Sequence, residues 1–178
     1  KLGELARSRN AWFFRWSPMI GDTTDNRSLM NRLGMRPAAV HAVDGEQCLV
    51  LSLDKSEDEL LTKMRKTTRY EIRRAIKEGV TVIDGSDKKA FMDFFRLYRE
   101  TSRRHGFVQH SGMEEEYEIF AREGNALLLL GYWQQQLCAG ALILFSGGQA
   151  IYHHGASIST KMPVSHLVQW MAIKEAIA

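Results

Sequence analysis

Three apolar segments in the second half of the sequence are separated by very short connections. Each has the length of a β-strand, and they cover Asn125–Trp133, Leu137–Phe145 and Gln149–Ala156. The connections, Gln134–Gln136 and Gly147–Gly148, have the length of hairpin turns, which join neighbouring antiparallel strands. The spacing therefore predicts an antiparallel three-stranded meander.

Helical patterns surround this predicted meander. An amphipathic helix is expected to start at Asp54 or Ser56 and to end at Gly79. The other predicted elements are a strand over 80–84 and helices over about 87–105, around the acids at 114–116 and after residue 163. This order indicates an α+β or mixed α/β domain from about Gln47 onward.

The first 46 residues are interpreted as the closing elements of a preceding domain. A short opening helix, a buried strand in AWFFRWSP, a helix ending at Gly34 and a strand over 36–43 are expected there, and a strand over 47–53 is expected to begin the next domain. Because KLGELARSRN is typical of a helix already under way and HLVQWMAIKEAIA stops within an amphipathic helix, the sequence is expected to be a fragment of a longer protein.

The composition is that of a folded globular protein, with 44 per cent hydrophobic and 25 per cent charged residues. Net charge is only +3, so non-specific coating of nucleic acid is not expected. Cys48 and Cys138 lie in apolar runs and are expected to be buried, reduced thiols, which suits a cytoplasmic protein. The longest apolar run, ALLLLGYW, is too short to cross a bilayer.

Positive charge is concentrated between Lys63 and Lys77, where seven of fifteen residues are Lys or Arg against a single acid. Apolar residues at helical spacing leave one face of this segment to the cations. Most charged helical faces are simply solvated, but this density favours the binding of phosphate or carboxylate groups. Arg69 and Arg73, with Lys66 beside them, are the candidate ligands because arginine binds such groups through two hydrogen bonds.

A second candidate site lies at the end of the third predicted meander strand, in Tyr152-His153-His154-Gly155. Adjacent strand residues face opposite sides, so His153 and His154 are expected to point apart and to make a poor metal site. Tyr152 and His154 are expected to share a face. Either a ligand-facing pair or a half-buried sheet face with satisfied polar tips fits that arrangement.

A third candidate site surrounds Gly106-Phe107, where Arg104 and His110 flank a helix end and a loop. The acids at 114–116 are interpreted as capping and solubilising their helix. Neither glycine-rich phosphate-binding spacing occurs, and no Ser-His-Asp or Cys-His arrangement is evident. No metal site and no cofactor are predicted.

Four segments in order resemble the Fem family of peptidoglycan-bridge aminoacyltransferases, which use aminoacyl-tRNA. They are LLTKMRKTTRYEIRRAIKEGVTV, FFRLYRETSRRHGF, LCAGALILFSGGQAIYHHGAS and HLVQWMAIKEA. The resemblance implies two N-acetyltransferase-like (GNAT-like) domains, with residues 1–46 ending the first and residues 47–178 forming most of the second. It also implies transfer of an aminoacyl group from charged tRNA to an amino group of a peptidoglycan stem peptide, whose carrier is either a nucleotide or a lipid.

Site residues follow from the resemblance position by position. Arg69 stands where a family motif places a polar anchor for the acceptor. His110 stands nearest to a family arginine that contacts acceptor phosphate, and Tyr117 corresponds to a tyrosine shortly after it. Tyr152 and His154 occupy the strand on which the family can place paired tyrosines. His154 is also a hypothetical base for the acceptor amine.

Two other functions stay open from the sequence. One is an acyl-CoA-dependent N-acyltransferase, although the loop expected to bind the CoA pyrophosphate is not found. The other is a non-catalytic module that binds RNA or other anions through the basic helix. The expected location is cytoplasmic, at the inner face of the membrane where the acceptor is lipid-linked.

Overall fold

The structure, a computed structural model, describes residues 2–15, 20–37, 48–85 and 87–177. These form two units that divide between Leu51 and Ser52. The described part of the first unit holds helices α1 (Leu2–Ser8) and α2 (Thr24–Arg32). Thr23 caps α2, since its side chain accepts a hydrogen bond from the Asn26 amide.

The strands predicted for the N-terminal part are not found where the structure describes it. Residues 11–15 have no regular structure and Trp12 is 99 per cent exposed, while 16–19 lie outside the described residues. Residues 48–53 are also irregular, and most of the predicted strand over 36–43 lies outside the described part. The apolar composition was misleading because a strand needs a neighbour, and the described part of this unit offers none. Cys48, predicted to be buried, is exposed, whereas Cys138 is buried.

The second unit is built on one four-stranded sheet. Its strands are β1 (Thr81–Asp84), β2 (Ala126–Trp133), β3 (Gln136–Ser146) and β4 (Gln149–Ser157). They pair in the order β1-β2-β3-β4, and each pair is antiparallel. The helices are α3 (Glu57–Lys63), α4 (Lys66–Lys77), α5 (Lys88–His105), α6 (Met113–Arg122) and α7 (Val164–Ile177). None of the helices in the described ranges is long and apolar enough to span a membrane.

The predicted meander is confirmed, and its turns explain it. Gln134 and Gln135 connect β2 to β3 with φ values of 50° and 64°, and Gly147 and Gly148 connect β3 to β4 with 57° and 73°. Two consecutive residues with positive φ give the tight turn whose twist matches that of paired strands. Glycine adopts this conformation easily, whereas the glutamines do so at some cost in backbone strain.

The sheet is covered on both sides. On one side α3, α4 and α7 pack against residues such as Leu129, Ala141 and Ile143. On the other side α5 and α6 pack against their alternate neighbours, including Leu128 and Leu142. Because successive strand residues point to opposite faces, each strand contributes to both cores. These layers are called the α7 face and the α5 face below.

The basic segment forms two helices rather than the single helix predicted. Ser56 begins α3 with a reciprocal capping box to Glu59, but α3 ends at Lys63 and α4 begins only at Lys66. Met64 between them is extended, with ψ of 156°. The Arg69 guanidinium donates hydrogen bonds to the carbonyl oxygens of Thr62 and Met64. A side chain one turn into α4 thus satisfies carbonyls at the end of α3, which no sequence rule for helix ends anticipates.

Candidate functional site

The side chains at the end of β4 are positioned by a β-bulge. His154 pairs with Leu142 on β3, and Tyr152 pairs with Ile143, so His153 is an extra residue on β4 with no partner of its own. A bulge of this kind interrupts the alternation of side chains along one strand. It therefore changes which face each of these residues occupies.

The predicted orientations at the end of β4 are wrong for this reason. His153 and His154 do not point apart, since their ring centroids lie 4.1 Å from each other. Residues directly opposite each other on neighbouring strands share a face of the sheet. Tyr152 pairs with Ile143 on the α7 face, whereas His154 pairs with Leu142 on the α5 face, so Tyr152 and His154 lie on opposite faces. Tyr152 is 47 per cent exposed.

Two further residues complete a cluster with these histidines, defined here as the His/Glu cluster: His110, Glu116, His153 and His154. His110 comes from the loop between α5 and α6, and Glu116 from α6. Glu116 Oε2 lies 2.9 Å from His153 Nε2 and 3.3 Å from His110 Nε2. The ring centroids of His110 and His154 are 5.5 Å apart. Residues 44 apart in the sequence thus meet at the edge of the α5 face.

Of the three consecutive acids at 114–116, Glu116 is the one whose side chain reaches this cluster. Met113 and Tyr117 are the buried residues of α6, and Glu116 lies three residues after Met113, on the same side of the helix. Glu114 and Glu115 are exposed, whereas Glu116 is half-buried. Sequence reasoning treated the three acids alike, and the helical spacing from Met113 was the signal that could have distinguished Glu116.

His154 is a half-buried histidine of the cluster. Its ring packs edge-on against Tyr98, with centroids 5.2 Å apart, and its Nε2 is buried without a hydrogen-bond partner among the described residues. Burial, together with the neighbouring His153 and His110, lowers the pKa of His154 to about 4. The imidazole is therefore neutral at pH 7, and its proton affinity is about 300-fold below that of an ordinary histidine. That weak basicity argues against the hypothesis of His154 as a general base.

Arg104 lies on the last turn of α5 and contacts the end of β4. Its Nη2 donates to the carbonyl oxygen of Ser157 at 2.5 Å. The buried Thr101 hydroxyl donates to the same carbonyl and accepts from the Ser157 amide. The side chain of Arg104 is otherwise exposed, so it fixes the strand end while remaining accessible to a ligand.

Tyr117, predicted to contact substrate, lies in the core of the α5 face. It is 6 per cent exposed, and its ring stacks on Phe91 with centroids 4.5 Å apart. Burial raises the pKa of its phenol. The ring thus packs in the core, and the predicted contact of Tyr117 with substrate stays a prediction.

The predicted residues of the basic helix lie in the other layer. The helix α4 packs against α7 through Ile72 and Ala75. Lys66 and Arg73 are exposed, and the single acid of the helix, Glu71, pairs with Arg74 instead. The structure thus divides the predicted site residues into two sets, on opposite sides of the sheet.

Comparison with known proteins identifies the family to which the chain belongs. The FemAB family profile matches residues 40–130, which are 91 of the 178 residues. The chain belongs to the FemAB family. Among curated proteins it resembles "Lipid II:glycine glycyltransferase" of Staphylococcus aureus, with 26 per cent identity over 137 residues. That alignment covers 71 per cent of this chain and 32 per cent of the relative.

A solved structure, described as the crystal structure of FemX, has the same fold. The TM-score is 0.76 at 20 per cent sequence identity, with 98 per cent of this chain and 63 per cent of that chain covered. The predicted mixed α/β, GNAT-like fold class and the Fem-family resemblance are therefore confirmed.

The FemAB match covers only some of the candidate site residues. It includes α4, α5, α6 and the loop that carries His110, and it ends at residue 130. The bulge of β4, with His153 and His154, lies beyond that boundary. Family membership thus leaves the role of the His/Glu cluster to be argued from its own chemistry.

Proposed function

We propose that this chain serves in the transfer of an aminoacyl group from aminoacyl-tRNA to an amino group of a peptidoglycan precursor stem peptide. The observation that carries the proposal is membership of the FemAB family, together with the similarity to a lipid II:glycine glycyltransferase. The transferred residue is attached to the tRNA as an ester, which is already activated. Aminolysis then requires positioning of the two substrates and stabilisation of developing charge more than a protein nucleophile.

The exposed cations of α4 are proposed to bind substrate phosphates. Lys66 and Arg73 have no ion pair within the described ranges and lie on the same helix face. Lys66 is the first residue of α4 and Arg73 lies about two turns later. Both a nucleotide-linked and a lipid-linked acceptor carry a diphosphate, and tRNA carries phosphodiesters, so all fit a cationic stripe. Arg69 contributes by holding the junction between α3 and α4, through its bonds to Thr62 and Met64.

The α5 face is proposed to contact the acceptor through Arg104 and His110. Both are exposed, Arg104 on the last turn of α5 and His110 in the loop that follows. Because the pKa of His154 is about 4, the proton of the acceptor amine is assigned to water or to substrate groups rather than to this imidazole. A lipid-linked acceptor would bring the protein to the inner face of the membrane.

The experiment that tests this function is reconstitution with the full-length protein. Glycyl-tRNA would be supplied with lipid II or with the nucleotide-linked precursor, and the product would be weighed by mass spectrometry. A precursor heavier by one glycyl residue is expected only with charged tRNA. Acetylation from acetyl-CoA would instead support the N-acyltransferase, and salt-sensitive RNA binding without any transfer would support the anion-binding module.

The domain assignment is also a proposal. Residues 1–46 would complete a first GNAT-like domain and residues 47–178 would belong to a second. The division of the structure between Leu51 and Ser52 supports a boundary near this point. Limited proteolysis of the full-length protein should cut near residue 50, and a fragment that begins well inside β1 would contradict the assignment.

A further inference from the structure

The His/Glu cluster contains a set of donor atoms that suits a metal ion. We propose that His110, Glu116 and His154 form a binding site for a divalent metal ion that prefers imidazole ligands, with Zn²⁺ as the representative. The proposal rests on the cluster alone and does not depend on the proposed function.

The spacing of the donor atoms supports it. One ligand atom from each of the three residues lies within 4.8 Å of the others. In tetrahedral coordination with bonds of about 2.1 Å, donor atoms are separated by about 3.4 Å. The 3.3 Å between His110 Nε2 and Glu116 Oε2 already has that length. Small rotations of the His154 ring and the exposed His110 side chain would complete the set.

The type of donor selects the class of metal. Two imidazoles and one carboxylate are a set that zinc uses where a fourth position stays open to water or a ligand. Magnesium and calcium require mostly oxygen donors, which two histidines do not supply. His110, whose side chain is 49 per cent exposed, leaves a path from solvent to the ion.

The surroundings are those of a supported metal site. His153 Nε2 lies 2.9 Å from Glu116 Oε2, so it can hold the carboxylate in place as the outer partners of metal ligands do. The rings of Tyr98 and His154 pack edge-on, and the Tyr98 hydroxyl accepts a hydrogen bond from the His110 amide, which ties both histidines to α5. Coordination through Nε2 of His154 would also give this buried nitrogen the partner that the described residues do not provide.

The alternative is a hydrogen-bonded His/Glu network that holds β4 to α6 without an ion. Calorimetric titration of the untagged, EDTA-treated full chain with Zn²⁺ distinguishes the two. One equivalent is expected to bind, and Co²⁺ is expected to give the intense visible absorption of a tetrahedral site. His154→Ala and Glu116→Gln should each weaken Zn²⁺ binding at least about 100-fold, and His153→Ala about tenfold.

The matched control is His166→Ala, which removes an exposed histidine of α7 on the other side of the sheet. Its Zn²⁺ affinity should equal that of the unchanged chain. Circular dichroism of each metal-free variant checks the fold, and Glu116→Gln keeps the shape of a half-buried side chain if His154→Ala does not fold. Zn²⁺ affinity that Glu116→Gln leaves unchanged, or that His166→Ala lowers equally, would overturn the proposal.

Discussion

The α7 face and the α5 face of the sheet have similar apolar cores but opposite polar edges. At the edge of the α7 face, Lys66, Arg73 and Lys77 of α4 are exposed, and neither Lys66 nor Arg73 forms an ion pair in the part of the chain that the structure describes. At the edge of the α5 face, histidines and a carboxylate are half-buried and contact one another. Exposed charge attracts an anion at long range, whereas enclosed donors at fixed spacing select a ligand by geometry. One sheet therefore carries two chemically distinct groups of polar side chains.

The largest effect should come from reversing charge on the α7 face. In the full-length protein, Lys66→Glu with Arg73→Glu is expected to lower kcat/KM for aminoacyl transfer at least about 100-fold. Each charge-assisted hydrogen bond to phosphate contributes about 1.5–3 kcal/mol. The helix itself should tolerate the change, because an acid at its first residue complements the helix dipole.

A matched double variant on the opposite layer is the control for that experiment. Lys88→Glu with Arg99→Glu removes the same charge from exposed positions of α5. The kcat/KM of aminoacyl transfer should fall much less in this α5 variant than in the α4 variant. Equal losses would mean that net charge matters and that α4 has no specific role.

The α5 face should make stability depend on pH. With EDTA present, the folded chain holds His154 neutral down to its pKa of about 4, while in the unfolded chain the pKa is 6.5. As pH falls from 6.5 to 4, protons bind the unfolded chain preferentially, so the free energy of unfolding falls by up to about 3 kcal/mol. The titratable side chains that face this ring are His110, His153 and Glu116. Urea denaturation at several pH values should show a flatter profile for His154→Gln than for His166→Ala.

Two glycines test whether the cores of both faces are equally close-packed. A Cβ at Gly131 would lie 2.6 Å from methyl groups of Val164 and Val168 on α7. A Cβ at Gly140 would lie 2.7 Å from the Phe94 ring on α5. Each Gly→Ala variant should be destabilised by about 1–3 kcal/mol in thermal or urea unfolding. Gly3→Ala, with nothing within 4 Å, is the control; tolerance of either core substitution would mean that its face is loosely packed.

The smallest expected effect is a difference in stability between variants of two arginines of α4. Arg69→Ala should cost about 1 kcal/mol of stability, since two carbonyl oxygens lose a charged donor at a partly exposed site. Arg73→Ala should change stability by less than about 0.5 kcal/mol. Chemical denaturation measures both. Comparable stability losses would show that Arg73 also supports the helix.

Local signals in the sequence predicted most of the second unit. Short turns define the meander, and the spacing of apolar residues with Asp87 as N-cap and Gly106 as C-cap defines α5. The break between α3 and α4 was missed because Arg69, seven residues from Thr62, satisfies the carbonyls there. The His/Glu cluster was missed because it depends on the register between β3 and β4 and on the approach of α6. Neither is fixed by residues near His154 in the sequence.

The bulge at His153 has a consequence for comparing this chain with its relatives. Pairing resumes at His154 and Leu142 as though the extra residue were absent, so the ladder on either side keeps its register. A deletion of this residue would be absorbed locally and would leave both cores undisturbed. Strand β4 can thus change length by one without a change of fold, and an alignment placed without a gap there would assign the wrong residue to the imidazole beside Tyr98.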